Sequence, residues 1–233
     1  MTSLREGLLE KIKKRGFWLI NFKPLVYNSQ RIQQIPDCKN IIEKNRVEFR
    51  GWDYPHFPQR QDNDTGLIPG NNYYEGWIDW SWSKEVWRMY QSGQFIHYLS
   101  LMEDWDDLGE NVQPKTILSI IMTVYHLTEI FEFLARLTQS GVYEEGVKIS
   151  ISLNNTIKRE LKILGHGRVP LHGEYVAHTN QIKFENQYSK NLITSNPKEL
   201  ALDVSIYFFN RFGWDNPSKE VIKNDQEKLI KGL

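Results

Sequence analysis

The chain has 233 residues, 40% of them hydrophobic and 25% charged, which is enough to bury a core and too apolar for a disordered chain. Basic and acidic residues balance at 29 each, so the cationic excess that a dedicated duplex binder sets against phosphates is missing. The single cysteine, Cys38, excludes an internal disulfide framework and a cysteine-based zinc cluster, and fits a reducing cytoplasm.

Residues 3–15 are predicted as a helix. Ser3 and Glu6 make a capping box, Leu4, Leu8, Leu9 and Ile12 form an apolar stripe, and Gly16 stops it. Charge at Glu6, Glu10 and Lys11 breaks the first apolar run, so no signal peptide is expected. A strand FWLINFKP follows at 17–24, then a loop or short helix at 28–45. Residues 46–52, RVEFRGW, alternate well enough to read as another strand, ended by the segment RGWDYPHFP. The stretch 59–72, with DNDTG and PGNN, reads as a surface excursion.

YYEGWIDWSW at 73–82 reads as a strand. EVWRMYQSGQFIHYLSL at 85–101 reads as two strands about a turn at Gln91-Ser92-Gly93. The acidic run EDWDDLGE at 103–110 is expected to be a solvated loop. Residues 116–138 form the central helix, with Ile117, Ile120, Ile121, Val124, Phe131 and Leu134 on one wide apolar face. Glu129, Glu132, Arg136 and His126 make it a buried helix rather than a membrane span.

KISISLN at 148–154 is the cleanest strand, with Lys148, Ser150 and Ser152 turned toward solvent or a groove. A weaker strand pair is expected at 173–178 and 181–187. Asn196 caps a helix of 197–212 that opens on Pro197 and ends at Gly213, and a polar helix near 217–231, frayed in part, closes the chain. These elements predict a single α+β domain over 1–233: a mostly antiparallel sheet packed on a buried central helix, with N- and C-terminal helices, the stretch 197–233 being a helical C-terminal extension at most.

Three places offer polar chemistry. In RGWDYPHFP, Asp53 and His56 form a candidate acid–base pair and Arg50 an anion holder, although an acid–base pair needs a separation of about 3 Å that loop spacing does not guarantee. The plainer reading makes Asp53 a turn cap and Pro55 a brace for Tyr54. On the central helix Tyr125, Glu129, Glu132 and Arg136 share a face. Glu132 pairs with Arg136 at i,i+4, leaving Glu129 to find a partner among Arg50, His56 and Arg88; a structural ion-pair network explains this stripe as well as catalysis does. In YQSGQFIH, Gln91, Gln94 and His97 surround a glycine turn, but Ser92 lacks the GxSxG elbow of a hydrolase. The six histidines show no metal-binding spacing, LGHGRVPLHGEY at 164–175 is no phosphate loop, and no cofactor is expected.

Eight tryptophans are the compositional outlier, six of them at 52, 77, 80, 82, 87 and 105. Large aromatics are mostly core, and Trp52, Trp77, Trp80 and Trp82 are also the natural components of a binding face.

Arg50–His56 (RGWDYPH), Tyr90–Phe95 (YQSGQF) and Thr128–Phe133 (TEIFEF), with FGW at 212–214, resemble an uncharacterised bacterial family that carries RGWD[FY]PH, YQSGQF and TEIFEF. The resemblance implies a shared fold, a bacterial source and a neighbourhood of ATPase or nucleic-acid-handling genes, and it brings no activity with it.

The functional expectation is a non-enzymatic binding or adaptor subunit with a protein partner, in a bacterial system such as anti-phage defence or nucleic-acid processing. Two alternatives stand beside it: an enzyme acting on nucleic acid or a nucleotide through Asp53, His56, Glu129 and Glu132, and a single-strand nucleic-acid binder that stacks bases on exposed tryptophans.

Overall fold

The computed structural model describes residues 7–105, 113, 115–164 and 171–232. Its centre is a seven-stranded antiparallel sheet in the order β2-β3-β4-β5-β1-β7-β9. The strands are β1 (Phe17–Pro24), β2 (Thr65–Pro69), β3 (Tyr73–Asp79), β4 (Lys84–Tyr90), β5 (Phe95–Ser100), β7 (Val147–Asn154) and β9 (Gln181–Tyr188). Helices α2 (Ile35–Asn45), α3 (Ile120–Gln139) and α5 (Pro197–Asn210) supply the apolar layer on one face. The short α1 (Leu8–Lys13) sits on part of the other. This is an α+β fold, and it follows from strands whose residues alternate between a buried and a half-open face.

The alternation is clearest in β1, while β4 is buried on both faces. In β1, Trp18, Ile20 and Phe22 are fully buried on the helical side, while Leu19, Asn21 and Lys23 point the other way. Register carries the pattern across the sheet: Ile20 pairs with His97 and with Ile151, and Asn21 pairs with Ile96 and with Ser150. Trp18 meets Phe208 of α5 edge-on at 4.9 Å, tying the C-terminal helices to the sheet. Opposite Trp87 stands Gly76, where an added Cβ would lie 2.4 Å from the indole; the glycine makes room for that ring.

Several sequence expectations need correction. The segment 46–52 is not a strand. One isolated bridge, in which the Val47 and Tyr54 amides each donate to the other's carbonyl at 2.9 and 2.8 Å, closes 47–54 into a loop. Gly51 at φ +69° turns that loop back on itself. The surface excursion at 59–72 is polar through 64 and then becomes the edge strand β2, because Thr65–Pro69 finds a free edge on β3. Residues 117–119 leave the helical period and pair as β6 (Ile117–Ser119) with β8 (Glu160–Lys162), a parallel pair that local patterning cannot foresee. Ser119 then caps α3, its side chain accepting from the Met122 amide.

The expected pair 173–178 with 181–187 does not form. Residue 176 makes only an isolated bridge to Glu160, and β9 pairs with β7. A helix α4 (Lys190–Ser195) precedes α5, and Asn196 stands at the junction without a side-chain capping bond. The last helix, α6 (Lys219–Lys231), is no frayed appendage: it buries Ile222 and Leu229, and Gln226 donates to Thr128 of α3 at 3.0 Å. The Ser3–Glu6 capping box lies outside the described residues, as do 106–110 of the acidic run and 165–170 of the glycine-rich stretch. Among the described residues, Gly7 stands at the N-cap position of α1.

Candidate functional site

The 46–57 loop lies between the central helix and the turn that joins β3 to β4, and it has an inner and an outer side. On the inner side Arg50 reaches α3 and grips Glu129 with two hydrogen bonds, Nε to Oε1 at 2.8 Å and Nη2 to Oε2 at 2.7 Å. Burial pushes the Glu129 carboxyl up even though the Arg50 guanidinium pulls it down. Arg136 binds Glu132 at 3.1 Å and donates to the Arg46 carbonyl at 2.5 Å, so the second half of the helical stripe clamps the start of the loop. Asp53 accepts from the Phe57 amide at 3.0 Å and lies 3.7 Å from Arg46 Nε. The Asp53 carboxylate also touches His56 Nδ1, without the alignment of a hydrogen bond. Trp87 Nε1 donates to the His56 carbonyl at 2.8 Å and fixes the loop's far end.

Beneath the loop runs a buried chain of which the sequence offers only His97 as a candidate site residue, with Tyr54 read as a braced loop position and Glu85 not singled out. His97 Nε2 lies 2.6 Å from Glu85 Oε2, and Nδ1 lies 3.2 Å from the Tyr54 hydroxyl. All three side chains are buried, and Tyr54 enters the core through a cis Tyr54–Pro55 peptide. Burial, with the Glu85 and Glu129 charges nearby, pushes the Tyr54 phenol far up. His126 of α3 is held far below the usual imidazole range, first by burial and then by the charges of Arg50 and His97. Glu85 could have been flagged from sequence. It occupies an inward position of β4 in step with Trp87 and Met89, where a carboxylate needs a buried partner.

On the outer side the loop presents Trp52. Its ring stacks on His56 at 4.4 Å and 16° and meets Trp80 and Trp82 edge-on at 5.2 and 4.9 Å. Trp80 and Trp82 stand 5.5 Å apart in the turn after β3, which Lys84 Nζ braces by donating to the Trp80 carbonyl at 2.5 Å. All four rings are partly exposed, so three tryptophans and a histidine form one aromatic platform at the surface.

The remaining candidates separate from this site. Trp77 is a core residue at 2% exposure, packed with Leu8 and Ile12 of α1, and is not part of any binding face. Arg88 points to the opposite side of the sheet from Glu129. It bonds Glu75 at 2.6 Å and lies 4.2 Å over the Tyr73 ring. Gln91 donates to the carbonyls of Ile32 and Gln33 at 3.2 and 3.0 Å, and Gln94 donates to Asn21 at 3.0 Å. Both glutamines therefore support the turn, where Gly93 adopts φ +83° and its carbonyl accepts from Tyr143. The acidic run is not solvated where it is described: Glu103 and Asp104 are buried, and Asp104 pairs with the fully buried Arg159 at 2.5 Å. Among the described residues no group of three or more histidine, cysteine or acidic side chains is placed to hold a metal ion, and no helix is long and apolar enough to cross a membrane.

Comparison of the chain with protein-family models, with curated proteins and with solved structures finds no match.

Proposed function

We propose that this protein is a non-enzymatic binding subunit of a bacterial multi-protein assembly, and that it grips a protein partner through the Trp52–Trp80–Trp82 platform. The observation that carries this is the platform's placement. Three large aromatic side chains that could have been buried are held at the surface, on a loop whose inner side is anchored by the Arg50–Glu129 pair. Tryptophan is the residue most enriched at interface hot spots, because a rigid ring removes much apolar area from water at small entropic cost.

The arrangement favours a protein over two other ligands. A cation held between rings sits within about 6 Å of each centroid, and rings packed against one another, edge-on at 4.9 Å for Trp52–Trp82 and tilted at 5.5 Å for Trp80–Trp82, leave no gap between them for one. Stacked bases need free ring faces, and one face of Trp52 already lies on His56. The enzymatic alternative draws less support. Glu129 and Glu132 are spent on Arg50 and Arg136, and the Tyr54–His97–Glu85 chain is buried.

The test is affinity capture from the native host by the wild-type protein and by a Trp80→Ala/Trp82→Ala variant, with nuclease added, followed by binding of the purified partner. The expected result is a nuclease-resistant partner whose affinity falls at least tenfold in the folded variant. Equal binding by both proteins would sink the proposal.

A further inference from the structure

The face of the sheet that carries no long helix has a second kind of surface. From β5 through β1 and β7 to β9 its side chains form cross-strand rows fixed by register. Tyr98, Leu19, Ser152 and Lys183 make one row, and Ile96, Asn21, Ser150 and Glu185 the next. In the third row Lys23 stands directly opposite Lys148. A groove of about 360 Å³ runs over β1, β7 and β9 between these rows.

Lys23 and Lys148 are both exposed, and among the described residues neither has a carboxylate within ion-pair distance. Like charges directly opposite on neighbouring strands repel, and only Lys148 is offset in part, by the diagonal Glu185 of β9. The groove's one carboxylate, Glu185, is bonded first by Lys183 at 3.0 Å, with the Lys148 charge and the Ser150 hydroxyl acting on it as well, so the lining keeps a net positive charge of two from three lysines and one glutamate. Lys13 of α1 lies 5.5 Å over the Tyr98 ring and adds a further cation at that end. Between the lysines the groove is lined by Leu19, its one apolar side chain, and by Asn21, Ser150, Ser152 and Gln181, with Asn21 Oδ1 accepting from Gln94 at 3.0 Å.

We infer that this groove binds single-stranded nucleic acid, phosphates on the lysines and bases on the floor. Lys148 and the strand position paired with Lys183 are separated by four residues of β7, roughly 14 Å at strand rise, too far for one phosphate and right for a polymer. The uncharged hydroxyls and amides suit base edges and Leu19 a base face; a duplex keeps its base faces inside the stack, so an unpaired strand fits the lining better. The site is distinct from the tryptophan platform, so it is compatible with a partner bound there.

The test is fluorescence anisotropy with a labelled oligouridine and the matching oligothymidine, each of about 20 nucleotides, titrated across a salt series. Wild type is expected to bind at low salt and weaken with salt. The Lys23→Gln/Lys148→Gln variant is expected to bind at least tenfold more weakly, with a log–log salt slope shallower by about 1.4, two contacts at about 0.7 each. Because the change removes a repulsion, that variant is expected to melt no lower than wild type; Lys183→Gln provides an independent variant with the same direction of effect. Absence of binding at low salt, unchanged affinity in both variants, or equal binding of polyglutamate or a duplex would each overturn the inference.

Discussion

Arg50 and Glu129 lie 79 residues apart in the chain and meet in a two-pronged ion pair that fastens the aromatic loop to the central helix. The two partners are unequal. Glu129 is 1% exposed and has no route to water, while Arg50 is 22% exposed and keeps one.

The inequality predicts an asymmetric mutational response. Arg50→Gln strands a buried carboxylate and is expected to cost about 3–5 kcal/mol at neutral pH, whereas Glu129→Gln leaves an arginine that can turn to solvent and is expected to cost about half of that. The sign with pH follows from the raised Glu129 carboxyl. A group whose folded pKa lies above its unfolded value, about 4.3, contributes stability below that unfolded value, and the contribution is lost as pH rises through the folded pKa. The cost of Arg50→Gln is therefore expected to shrink as pH falls from neutrality toward the unfolded value, because protonation of the raised carboxyl removes the stranded charge. Urea melts of both variants at several pH values check this; an Arg50→Gln cost that stays flat or grows on acidification contradicts it.

The Asp104–Arg159 pair is the second buried anchor. Asp104 also accepts from the Gly16 and Lys115 amides at 2.6 and 2.7 Å, joining the entry of β1 to the segment that leads into β6. Asp104→Ala leaves a fully buried guanidinium uncompensated and is expected to cost about 3–5 kcal/mol, or to abolish folding. Replacing both partners, as Asp104→Leu/Arg159→Met, is expected to recover part of that loss, since the uncompensated charge is gone. Denaturant melts of the single and double variants decide it. A single variant as stable as wild type would show the pair to be dispensable.

Tryptophan emission is expected to divide into two populations. Trp18, Trp77 and Trp87 are buried; Trp52, Trp80 and Trp82 are partly exposed at the platform, and Trp105 and Trp214 are partly exposed elsewhere but covered by Arg15 and Lys84 and by Tyr175 and Phe209. Iodide is expected to quench only part of the native signal, and Trp52→Phe/Trp80→Phe/Trp82→Phe is expected to lower the quenchable fraction by about half or more, three of the five partly exposed indoles being removed. A triple variant as quenchable as wild type would place the accessible indoles elsewhere.

The sequence by itself determined the parts of this protein that depend on nearest neighbours. The strand at Phe17–Pro24, the turn at Gln91–Gly93, the strand at Val147–Asn154 and the helix opened by Pro197 are each written in a local period or a conformationally special residue. The Glu132–Arg136 pair was legible for the same reason, because four residues make one helical turn. Tertiary structure decided the rest. Residues 46–52 alternate like a strand but find no sheet edge, so they close as a loop; residues 65–69 look like a turn region but find one, so they become β2. The choice of Arg50 over His56 and Arg88 for Glu129 was likewise open until the sheet placed Arg88 on its other face. Which tryptophans are core was undecidable from composition, since Trp77 and Trp80 differ by three positions in one segment. One side chain points under α1 and the other out of the turn. Backbone pairing and burial are properties of the assembled layers, and no window of sequence contains them.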